Sequence, residues 1–197
     1  MLGKLANIVR NVGGELLAIR NTAATKGTWE GSQLKTEADR QAHRFLVEAL
    51  GDLDPSIPVV SEEDTTSHST SRPERFFLID PIDGTASFAG GFDGYVTQVA
   101  LMEAGKPVLA AIHAPAFDHL FLAERGKGAT LNGERLAVDP QPNRNVLIDN
   151  YPEPRGSARE AFEALSMTGY VECGGISLKI CRIADGSADL FFKGVTV

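Results

Sequence analysis

The sequence predicts an α+β fold in which an antiparallel or mixed sheet is layered with helices. Three observations lead there. Apolar residues recur at helical spacing near the N-terminus. Short apolar runs in the middle of the chain read as strands, and two of them end in clusters of acids. Turn signals such as Glu103-Ala-Gly-Lys-Pro107 and Asn132-Gly133 join neighbouring runs as hairpins, which a purely parallel sheet does not use.

Leu5, Ile8, Val9, Val12, Leu16 and Ile19 lie on one face of an amphipathic first helix. Asn21 to Leu34 is polar and rich in Gly and Thr, so it reads as a loop or a hairpin. Thr36-Glu-Ala-Asp39 has the form of a capping box and opens a second helix, with Gly51 as its stop. Ile57 to Val60 is a short strand ending at Ser61. Asp64 to Glu74 is a polar, exposed loop. Phe76 to Ile79 is apolar on both faces, which marks a central strand. Tyr95–Met102 and Val108–His113 form a hairpin. His119–Ala123 and Ala129–Val138 continue the β pattern. Ser157 and Glu160 suggest another capping box, opening a helix to about Thr168. Tyr170–Cys173 reads as a strand, Ile176–Ala184 as a helix stopped by Gly186, and Ala188–Phe192 as a final strand. The expected division is a 1–140 part carrying the acidic motifs and a 141–197 part that begins a second unit.

Composition narrows the function. The 197 residues carry 26 acids against 19 Lys and Arg, a net charge of −7. No basic cluster stands out, so no extended nucleic-acid partner is expected. No apolar run reaches the ~18 residues of a membrane span, and Arg10 and Glu15 interrupt the first helix, which argues against a signal peptide. Cys173 and Cys181 are the only cysteines. They make neither a disulfide framework nor a zinc site, and they fit a reducing, cytoplasmic setting.

The chemistry concentrates in two places. Phe76-Phe-Leu-Ile79 runs into Asp80-Pro-Ile-Asp83-Gly-Thr85, and Val59-Val60-Ser61 runs into Glu62-Glu63-Asp64. Asp, Pro and Gly are also turn residues, and an acidic triplet is often a solvated loop. If the two strands are neighbours, however, Glu62 arrives beside Asp80 and Asp83. Carboxylates gathered in this way repel unless a cation sits among them. An all-oxygen ligand set suits a hard divalent ion, with Mg²⁺ the usual choice where water and phosphate complete the shell. The chain carries no P-loop, no G-x-S-x-G, no H-E-x-x-H and no recognisable nucleophile motif.

Ile79-Asp-Pro-Ile-Asp-Gly-Thr85 with Phe88 resembles the signature of the inositol monophosphatase family, which includes bisphosphate nucleotidases of sulfur assimilation and some histidinol phosphatases. Val60-Ser-Glu-Glu-Asp64, Thr36-x-x-Asp39, Gly126-Lys-Gly-Ala129, Ile176-Ser-Leu-Lys179 and Ala184–Asp189 resemble further family segments in the same order. The resemblance implies an α-β-α-β-α layered sandwich and hydrolysis of a small phosphate monoester by two or three Mg²⁺ ions. It also implies inhibition by lithium and a homodimer. Carried over by position, Glu62, Asp80 and the Ile82 carbonyl would hold one metal, and Asp80 and Asp83 a second. Thr85, with Glu62, would orient the attacking water. Asp83, Gly84 and Thr85 would meet substrate, with the Gly84 and Thr85 amides facing the phosphate. Asp39 would lie near a third metal, or serve only as a capping-box residue.

The sequence also departs from the family. The family's Trp-Asp motif, whose Asp completes the second metal site, is expected after the strand at Ala188–Phe192 and is not reached by Val197, so the polypeptide is either truncated or longer than these residues. Were Val197 the true end, the second metal would bind weakly. Ala86-Ser87 stands where sulfur-pathway nucleotidases often carry Lys-Glu, which tilts the expected substrate toward inositol or sugar phosphates. Lys179 and Lys193 are either anion contacts or, more in keeping with their type, solvated lysines. The four histidines form no ligand cluster, and Trp29 is expected to pack. The competing reading is a non-catalytic relative that serves as a scaffold for transcription machinery.

Overall fold

A computed structural model describes residues 1–30, 33–64, 72–137 and 145–192. The chain opens with α1 (Leu2–Ile19), whose Leu5, Val9, Val12 and Leu16 are buried along the predicted stripe. A hairpin follows, β1 (Gly27–Glu30) and β2 (Gln33–Thr36), and leads into α2 (Glu37–Leu53). The expected capping box forms. Thr36 Oγ accepts from the Asp39 amide at 3.3 Å and Asp39 Oδ2 accepts from the Thr36 amide at 2.7 Å. The helix does not stop at Gly51 but runs two residues further, to Leu53.

The main sheet has seven strands in sequence order: β3 (Val59–Ser61), β4 (Arg75–Asp83), β5 (Val96–Glu103), β6 (Lys106–Ala114), β7 (His119–Glu124), β8 (Gly128–Leu131) and β9 (Glu134–Arg135). Only β3 and β4 pair in parallel. β4 extends past Ile79 through the whole Asp80–Asp83 motif. Pro81 is tolerated there because the register with β5 shifts between Asp80 and Asp83, so no ladder bond is required of it. Directly after it comes α3 (Thr85–Ala89), a single turn not expected from sequence.

Alternation along β5 and β6 divides the core. Val99, Leu101 and Ala111 face α1 and α2. Val96, Ile112 and Ala114 face the opposite way. There they meet Leu178 of α5 (Ile176–Ala184) and Ile148 of β10 (Val146–Asp149). β10 is the centre of a parallel three-stranded sheet between β11 (Gly169–Glu172) and β12 (Leu190–Phe191). The far face of that sheet presents Leu147 to Ala158 of α4 (Gly156–Ala164). Five layers result, with helices outside, between and beyond two sheets, as the resemblance implied. β10 was not expected. α4 begins at Gly156 without a side-chain cap and ends at Ala164, so the Ser157–Glu160 capping box does not form. The 140/141 division lies outside the described residues. No helix among the described residues is long and apolar enough to cross a membrane.

Candidate functional site

Parallel pairing of β3 with β4 aligns Ser61 with Ile79, so the next rung delivers Glu62 and Asp80 side by side. Burial and the neighbouring Glu62 carboxyl push the Asp80 carboxyl well above its ordinary range, with Asp83 adding to the effect. Asp80 Oδ2 accepts from Gln98 Nε2 at 3.1 Å. Asp80 Oδ1 is buried and no donor reaches it. Two acceptors that face one another without a donor between them are a costly arrangement, which a shared proton or a cation would relieve.

Asp83 makes two contacts that had no sequence signal. Its Oδ1 accepts from the Ile176 amide at 3.1 Å and its Oδ2 from the Ser177 amide at 2.6 Å. The carboxylate therefore caps α5, which is otherwise uncapped. Among the described residues, no group of three or more acids, histidines or cysteines is gathered closely enough to hold a metal ion. Glu62 and Asp80 are the adjacent pair, and Asp83 lines the same cavity and adds to the field on Asp80.

Gly84 turns the chain between Asp83 and α3 at φ +95°, a left-handed conformation in which a Cβ would also come within 2.7 Å of the Gly94 carbonyl oxygen. Gly174 is more tightly confined, since a Cβ there would lie 1.7 Å from the same oxygen. This close backbone packing brings the α5 N-terminus to Asp83, with the Gly175 amide donating to Gly94 O at 2.7 Å.

Thr85 Oγ reaches Asp39 Oδ1 at 3.0 Å and the Ile82 carbonyl at 2.9 Å, so its one proton serves one of them at a time. Asp39 is a partner of Thr85 that had no sequence signal. Asp39 is 1% exposed, and its oxygens are engaged by Thr36 and Thr85. Burial raises its carboxyl while the Thr36 and Thr85 bonds pull it down. These contacts are those of the capping-box reading, with Thr85 as a further partner.

An open cavity of about 250 Å³ lies over the pair, lined by Glu62, Glu63, Asp80, Asp83, Thr85 and the hairpin residues Trp29 and Lys35. Lys35 had no sequence signal. Its Nζ sits 3.3 Å from Glu63 Oε2, with only 18% and 10% of the two side chains exposed. Trp29 is 66% exposed at the cavity rim and does not pack as expected. Lys179 is no solvated lysine. It is 1% exposed, bonds Asn150 Oδ1 and stands 4.6 Å over the Phe191 ring. Lys193 and His68 lie outside the described residues. His43 bonds Ser61 Oγ at 2.9 Å, behind the pair.

Comparison with known proteins gives the family and the fold. A family model described as "Inositol monophosphatase family" matches residues 4–196. The chain is 30% identical to the 3'(2'),5'-bisphosphate nucleotidase CysQ of Salmonella typhimurium, over 97% of this chain and 79% of that protein. It is 28% identical to the Nus factor SuhB of Vibrio cholerae, over 98% and 76%. Among solved structures, the extragenic suppressor protein suhB of Bartonella henselae superposes with a TM-score of 0.81 at 25% identity, covering 96% of this chain and 76% of that one. The Thermotoga maritima IMPase gives 0.78 at 26% identity, covering 94% and 73%. Sequence and fold agree along nearly the whole length, and the chain belongs to the inositol monophosphatase family.

Proposed function

We propose that the protein hydrolyses a small phosphate monoester, an inositol monophosphate or a related sugar or polyol phosphate, with Mg²⁺ held at the Glu62–Asp80 pair. One observation carries this reading: Asp80 Oδ1 is buried, donorless and set beside a second carboxyl at the mouth of a cavity. The donor set is all oxygen, as a hard divalent cation requires. Glu62, Asp80 and the Ile82 carbonyl would hold the ion. A bound divalent cation supplies charge for the phosphoryl oxygens and a water of lowered pKa.

The chain's own residues do the positioning. Thr85 Oγ, with its proton committed to Asp39 or Ile82 O, keeps lone pairs with which to accept from a water and aim it. Asp39 holds Thr85 in place from the start of α2. The Gly84 and Thr85 amides open the first turn of α3 toward the phosphate. Asp83, fixed by α5, offers its remaining lone pairs to a second ion or to substrate hydroxyls.

A second reading has an observation of its own. Lys179 is a buried cation one turn into α5 from the amides that hold Asp83. It lines a cavity of about 410 Å³ with Asp149, Asn150, Arg155 and Ser157. Together with the likeness to CysQ, this favours a substrate carrying a second phosphate, such as a 3',5'-bisphosphate nucleotide.

Phosphate release should be measured with Mg²⁺ on inositol monophosphates, histidinol phosphate and 3'-phosphoadenosine 5'-phosphate. Release is expected on at least one of them, abolished by EDTA and reduced at least about 100-fold in Asp80→Asn, since lost cation binding removes several kcal/mol of transition-state stabilisation. No release from any of them would overturn the proposal.

A further inference from the structure

Gln98 makes a contact for which neither its strand nor its neighbours account. It lies in β5 directly opposite Asp80 in β4, and cross-strand partners share a face of the sheet. Val60, Leu78, Ala100, Ala110 and Ile112 line the same cavity, together with the polar Ser61, Glu62 and Arg72. One amide stands among them, and its Nε2 donates to Asp80 Oδ2 at 3.1 Å. The amide must present its NH₂ here, because both oxygens of an ionised Asp80 are acceptors.

We propose that Gln98 is a positioning residue that anchors one oxygen of Asp80 and thereby aims the other, beside Glu62, at the bound cation. This rests on the reading of Asp80 as a metal ligand. The chemistry of the position favours an amide. An apolar residue would give Oδ2 no donor and leave the carboxylate free to rotate about its last bond. A Lys or Arg would donate, but its charge would compete with the metal for the same carboxylates. A Glu would add a third negative charge against Glu62 and Asp80. A neutral amide orients the ligand without neutralising it, as outer-shell donors to metal-binding carboxylates do. Asn would leave its NH₂ one methylene short of Asp80 across the strand pair.

The test is Mg²⁺ binding by titration calorimetry on the full chain, with the melting temperature of the EDTA-treated protein recorded in parallel. Gln98→Met, similar in length and without a donor, should weaken the tightest Mg²⁺ site by about tenfold or more. Its metal-free melting temperature should fall modestly, because a buried carboxyl loses its donor, and the rise in melting temperature that saturating Mg²⁺ gives the parent should shrink in the variant, which a purely structural role would not produce. Should Gln98→Met fail to fold, Gln98→Asn keeps the polarity and loses the reach, and it should show the same loss of affinity. Asp80→Asn separates this inference from the reading beneath it. If Asp80→Asn abolishes the site while both Gln98 variants bind Mg²⁺ like the parent, the positioning role is wrong. If Asp80→Asn itself binds normally, Asp80 is no ligand and the positioning role falls with it.

Discussion

Asp83→Ala tests how the fold uses its most motif-bound acid. In the structure this carboxylate accepts the Ile176 and Ser177 amides at 3.1 and 2.6 Å and is the side chain that closes the N-terminus of α5. Removing a capping side chain costs about 0.5–2 kcal/mol. Losing a negative charge at a helix N-terminus costs about 0.3–1 kcal/mol, part of it the same energy counted again. A destabilisation of about 1–2 kcal/mol follows, equivalent to about 2–8 °C in Tm for a chain of this size. Asp83 also repels Asp80, so an Asp83 with no capping role would give the opposite sign: its removal would relieve Asp80 and stabilise the metal-free protein. The assay is urea unfolding in EDTA, where no cation contributes. Asp83→Asn, whose side-chain oxygen still accepts from an amide, should lie between the parent and Asp83→Ala. An Asp83→Ala protein as stable as the parent, or more so, would refute the capping argument.

Gly174→Ala would place a Cβ 1.7 Å from the Gly94 carbonyl, backbone against backbone, and should cost at least about 1–3 kcal/mol, read as a lower urea midpoint. Thr85→Val should lower kcat by about 100-fold while leaving calorimetric Mg²⁺ affinity near that of the parent, because it loses the aim of the water and not a metal ligand. His113 is buried under α1, its Nδ1 3.3 Å from the Val9 carbonyl, and burial lowers its pKa despite the favourable Val9 contact and Asp118 3.9 Å away. A depressed folded pKa means the unfolded chain takes up the proton first. This contribution to stability is therefore present above about pH 6.5 and is lost as pH falls toward the folded pKa. Thermal melts from pH 5 to 8 should show that slope, and His113→Gln should flatten it.

Much of the site was legible because its parts are local. The capping box at Thr36 and Asp39 needs only three residues of spacing, and the acids at Glu62 and Asp80 announce themselves as the ends of apolar runs. Their meeting required one assumption, that β3 and β4 are neighbours, and the parallel register of Ser61 with Ile79 meets it. What could not be read depends on distance along the chain. Gln98 finds Asp80 through antiparallel register, and Asp83 finds its amide partners 93 and 94 residues away. No local pattern encodes either contact. β10 escaped because Val146-Leu-Ile is a very short apolar run whose strand identity comes from burial between two parallel neighbours. β4 runs further than its apolar letters do because a shift in register, not hydrophobicity, accommodates Pro81.

The account turns on whether Glu62 and Asp80 share a divalent cation. A crystal soaked in Mn²⁺ and measured at the manganese absorption edge answers this directly. An anomalous peak at bonding distance from both carboxylates, absent in an Asp80→Asn crystal treated alike, is the predicted result. A map with no peak between them, at a Mn²⁺ concentration that supports phosphate release, would contradict it.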